Sequence, residues 1–112
     1  MNVGLLSTSF FLQPTKVINN TSYTKSGAYG NYSHSEGLNI LAIGDCSHAE
    51  GNGTTAVKTA THTEGGGTTA SGDYSHAEGA GTTASGNYSH AEGGGTTASG
   101  DYSHAEGNYS MA

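Results

Sequence analysis

Six histidines each stand two residues before a glutamate, and the pairs recur every 14 residues: His34/Glu36, His48/Glu50, His62/Glu64, His76/Glu78, His90/Glu92 and His104/Glu106. They include every histidine and every glutamate in the chain. On an extended segment, residues two apart point to the same side, so each pair presents an imidazole next to a carboxylate. Such a pair can form a hydrogen-bonded ion pair, supply two ligands to a divalent metal, or move a proton. If the copies stack, His lies over His and Glu over Glu, and unrelieved like charges repel. Neutral histidines, His–Glu pairing, or a glutamate meeting a histidine of a neighbouring subunit would each relieve this. The expectation is a structural ladder, either between subunits or on the surface. Stacked imidazoles suit a metal chemically, but repetition copies such columns without selection for one, so no metal or cofactor is assigned. A paired ladder predicts that stability changes near the ordinary histidine pKa of ~6.5.

No catalytic constellation emerges, and an enzyme is not expected. Ser75 and His76 are neighbours in an extended segment and face opposite ways, so they cannot act as nucleophile and base. His34-Ser35-Glu36 matches half of a zinc-deaminase signature, but the Pro-Cys-x-x-Cys half is missing.

The pairs sit in a pentapeptide, Ser75-His76-Ala77-Glu78-Gly79, whose copies keep the 14-residue register from Ser33 to Gly107. A finer period of seven runs through an alanine column and a glycine column, dividing each repeat into two units of the form Ser/Thr-x-Ala-x-Gly. A helical coiled coil is excluded, because glycine every seventh residue with no leucine seam would not hold helices together. Each unit instead fits a strand of about five residues closed by a turn at Gly72-Asp73, Gly86-Asn87 or Gly100-Asp101. A fixed repeat of this kind signals a stacked solenoid. Residues 26–112 form the repeat array. Residues 1–25 hold Phe10, Phe11, the only proline and the most apolar stretch. They read as a cap on the solenoid or a connection between subunits, the alternative being part of a preceding domain.

Only 32% of the 112 residues are hydrophobic, tryptophan is absent, and 19 are glycine, so a single chain has a thin core. A net charge of −6 argues against nucleic acid. No apolar run is long enough to cross a bilayer, so no membrane contact is expected of this segment. The start lacks the basic region of a signal peptide. Cys46 is the only cysteine, which rules out an intrachain disulfide.

Alternation places Ser/Thr, Ala and Gly on one face of each strand, with Ala inward in the His/Glu strand. Thr68, Thr82 and Thr96, with Thr69, Thr83 and Thr97, make threonine ladders that could order water on a flat face. Tyr32, Tyr74, Tyr88 and Tyr102 share a column with Cys46 and Ala60, and are expected to stack as an aromatic seam beside the turns.

Ser-His-Ala-Glu-Gly alternating with Thr-Ala-Ser-Gly closely resembles the head repeat of YadA-like trimeric autotransporter adhesins. Asn39-Ile40-Leu41-Ala42-Ile43-Gly44 is similar to that family's hydrophobic motif, Asn-Ser-Val-Ala-Ile-Gly. The resemblance spans residues 26–112. It implies an all-β, left-handed parallel β-roll with 14-residue coils, assembled as a homotrimer on the bacterial surface. Its outer faces would then bind host matrix protein, glycan or other cells. Thr69 and Ser71 stand where the family has Val and Ile, so a more polar core is expected. No neck, stalk or membrane anchor is present, and the chain reads as an excised fragment or as one whose open end meets another molecule. Similar repeats in phage tail fibres make a virion receptor-binding segment the first alternative. A filament subunit joined end to end and an ice-binding solenoid are the others.

Overall fold

The structure, a computed structural model, describes residues 26–112. The N-terminal cap or connector expected at 1–25 lies outside them. Twelve strands and no helix occur among the described residues. Each 14-residue coil contributes one two-residue strand and one five-residue strand, for example Thr69–Ala70 and His76–Ala80. Like strands stack in parallel into two six-stranded sheets. Pairing joins each residue to its equivalent one coil away, as in Thr69 with Thr83 and His76 with His90. The described residues therefore form an all-β solenoid of six coils, from 26–39 to 96–109, and Met111 pairs with Thr97 to begin another turn.

Both strands turn their Ser/Thr and Ala columns inward, whereas the glycines that close the five-residue strands, Gly37 to Gly107, are exposed. The apolar interior consists of alanines and one larger residue, Ile40. Alanine lets the two sheets approach closely, but each buried methyl contributes only about 0.8 kcal/mol. Most of the remaining interior is hydroxyl, and the turns explain how it is tolerated. At one corner Ser75 Oγ donates to the Gly72 carbonyl at 2.7 Å, and Ser33, Thr61 and Ser89 make the same bond in their own coils. At the other corner Thr82 Oγ1 donates to the Glu78 carbonyl at 3.2 Å, with Thr54, Thr68 and Thr96 repeating the contact. Each of these hydroxyls thus satisfies a turn carbonyl three or four residues back and escapes the cost of burying an unpaired polar group.

Glycine is fixed where coils nearly touch. A Cβ on Gly79, whose φ is +113°, would lie 2.0 Å from the Gly93 carbonyl oxygen. The next corner, at Gly81 with φ +67°, is open space, and Asn39 and Tyr109 occupy that column in the first and last coils with φ of 58° and 59°.

Three expectations are corrected. The Thr-Ala-Ser unit forms a two-residue strand, because the chain leaves the ladder for the turn soon after Ala70. Thr68, Thr82 and Thr96 are fully buried, so the outward threonine ladder is confined to Thr55, Thr69, Thr83 and Thr97. Thr69 and Ser71 face outward and do not make the core polar; the interior hydroxyls come from Thr68, Ser75 and their equivalents.

The candidate His/Glu face

The five-residue strands carry all six His/Glu pairs on the outer face, because inward Ser75 and Ala77 alternate with outward His76 and Glu78. From His48 to His104 the imidazoles form one stack, with centroids 4.5–4.8 Å apart and planes within 13° of parallel. His34 is tilted 59° against His48. Sheet register, through Cα pairs such as His62 with His76, imposes this column.

Within each rung the Nε2–Oε1 separation is 2.8 Å at His34–Glu36, widens to 4.0 Å at His62–Glu64, and narrows to 3.1 Å at His104–Glu106. His76 also lies 4.0 Å from Glu64 Oε2 in the preceding coil. Only the first rung has hydrogen-bond geometry. Nε2 of His48, His62, His76 and His90 is shut off from solvent with no hydrogen-bond partner.

Two devices relieve the like-charge columns. Burial lowers the His62 and His76 pKa values, and the neighbouring imidazoles lower them further, so these rings favour the neutral form. Along the carboxyl column Glu64 is pushed up to about 7, first by hydrogen bonding with Glu78 and Glu50 and then by burial. Glu78 is held below the usual range by hydrogen bonding with Glu64 and Glu92. Glu64 therefore favours its protonated form and can donate to a neighbouring carboxylate, Glu50 or Glu78. Sequence reasoning considered His–Glu pairing and missed this carboxyl–carboxyl contact, whose signal was the unbroken 14-residue spacing of the glutamates. Beside the carboxyls runs an open groove of about 850 Å³, floored by the Gly37-to-Gly107 column.

Tyr74, Tyr88 and Tyr102 stack with centroids 5.1 Å apart and planes within 5°. They occupy left-handed turn positions, with φ of 60–62°. Tyr32 has the same backbone but is separated from them by Cys46 and Ala60, which fill the column at φ 59° and 53°. Beside this corner lies a second ladder that sequence reasoning treated only as turn chemistry. The Asp73 N–H donates to Asn87 Oδ1, and the Asn87 N–H donates to Asp101 Oδ1, both at 2.9 Å. Alternating Asn with Asp links successive turns while keeping carboxylates from stacking directly.

Comparison with protein families, with curated proteins and with solved structures finds no match to this chain.

Proposed function

We propose that this chain is a structural and adhesive rod. Its left-handed β-roll assembles side by side as a homotrimer displayed at a bacterial surface, and it binds matrix protein, glycan or other cells through its outer faces. The carrying observation is the imbalance between interior and exterior. Alanines and Ile40 fill the inside, while Leu38, Ile43 and the tyrosines project outward. So little apolar burial within one chain favours stabilisation by packing against copies. Repeated identical side chains along a rod suit many weak contacts acting together. The resemblance to adhesin head repeats supports the trimer and the location. Light scattering behind a sizing column tests the assembly at pH 7.5 and pH 5: three times the 11.2 kDa chain is expected, and a stable monomer overturns it. Binding of the assembled rod to immobilised matrix proteins and glycans tests the adhesive role.

A second reading, ice binding, draws on one observation. Thr55, Thr69, Thr83 and Thr97 form an outward column in strict register, flanked by Ser71, Ser85 and Ser99. Absence of thermal hysteresis removes it.

A further inference from the structure

We propose that the His/Glu face binds late first-row divalent cations such as zinc, one held by His62, Glu64 and His76 and another by Glu78, His90 and Glu92. In each set the candidate ligand atoms lie within 4.8 Å of one another, and the two sets share no residue. Two ligands of one tetrahedral zinc, with bonds of ~2.0–2.2 Å, lie roughly 3.4 Å apart. The His90–Glu92 separation of 3.2 Å already matches that spacing, and Glu64 lies 4.0 Å from both His62 and His76, so a modest side-chain shift closes the first set. Ring spacing of 4.5 Å between His62 and His76 is wider, so one ring must tilt out of the stack to share an ion. His34 adopts such a tilt against His48 at the end of the column.

Independent support comes from unmet valence. Nε2 of His62, His76 and His90 is shielded from solvent without a hydrogen-bond partner. Lys58 is the only lysine or arginine among residues 26–112, and every ion pair found among them is His–Glu. A cation seated between imidazole and carboxylate satisfies both columns at once. Imidazole nitrogen beside carboxylate oxygen selects zinc, nickel or copper over calcium and magnesium, which prefer all-oxygen shells. The inference goes beyond the adhesive reading and holds whichever organism or particle carries the rod.

The test is calorimetric titration of tag-free full chain, stripped of metal by chelator, with zinc chloride at pH 7.5. At least two zinc ions per chain are expected, with calcium unable to compete. His76→Gln combined with His90→Gln should abolish both, while Cys46→Ser should change nothing. Should the double variant misfold, cobalt added to the unaltered chain provides the second measurement. It should shift and broaden the imidazole NMR signals of these histidines and spare the Tyr74 and Tyr88 rings. No zinc uptake, uptake undiminished by the double substitution, equal uptake of calcium, or unmoved imidazole signals would each overturn the proposal.

Discussion

The first two coils and the last three share an interior and differ outside. Inward positions in 26–53 hold Ser, Ala, Gly and the single Ile40, close to the set found in 68–109. Outward positions of the short strands change completely. Tyr29, Leu41 and Ile43 occupy them in the first two coils, whereas Thr69, Ser71 and their copies occupy them later. The difference separates two kinds of constraint. Close packing between the two sheets keeps the interior to small side chains apart from Ile40. The short-strand surface lies outside that interior among the described residues, and it changes from apolar to hydroxyl along the coils. The His/Glu face does not drift, and its uniformity over six coils sets it apart from the other outer face.

Exchanging residues between these regions tests the distinction. The largest effect is expected from Gly79→Ala, whose Cβ would meet the Gly93 carbonyl. A loss of roughly 3–5 kcal/mol in chemical denaturation is expected from the clash and the backbone strain together. Gly81→Asn, which imports the first coil's Asn39 into the fourth, should stay within about 1 kcal/mol of the parent. Next comes Ala77→Leu, expected to cost roughly 3 kcal/mol by overpacking a fully buried site. By contrast Thr83→Leu, outward like Leu41, should leave stability nearly unchanged; equal losses at the two sites would erase the distinction. In the third coil Thr63 replaces alanine, and its buried Oγ1 has no partner. Thr63→Val keeps the shape and removes that hydroxyl, so a gain of about 1 kcal/mol is expected.

The smallest effect concerns the uniform face. Glu64 holds its proton more tightly in the fold, at about 7, than at its ordinary value of 4.5. Its contribution is fully present below the unfolded pKa and is lost as pH rises through about 7. Glu64→Gln keeps a hydrogen-bond donor in the column at every pH. The variant should therefore melt higher than the parent at pH 8, by on the order of 2 °C given the solvent screening of a surface column, and the gap should close toward pH 5. Lowered pKa values at His62 and His76 act oppositely, costing stability as pH falls below the ordinary histidine value. Both chains share that cost, so it drops out of the difference.

The sequence carried the coil length, the parallel register and the shared side of each His/Glu pair, because a fixed repeat and strand alternation determine all three. Alternation relates faces only within a strand. Thr68 and Thr69 were therefore interchangeable until the corners showed that Thr68 clips the Glu64 carbonyl from inside. The brevity of the short strand depends on a left-handed residue at Tyr74, a position where tyrosine gives no warning. The hydrogen bonding of Glu64 with Glu50 and Glu78 depends on side-chain approach between coils, which spacing alone does not measure.

The hydroxyl clips at the corners have a genetic consequence. Because most buried polar groups are satisfied by a carbonyl three or four residues back along the chain, and each coil meets its neighbours through the same register, a coil can be duplicated or lost in frame without any new contact having to evolve. Near-identical repeats are also the substrate on which replication slippage acts. The solenoid can then lengthen or shorten by whole coils while each coil brings the same His/Glu pair to the outer face.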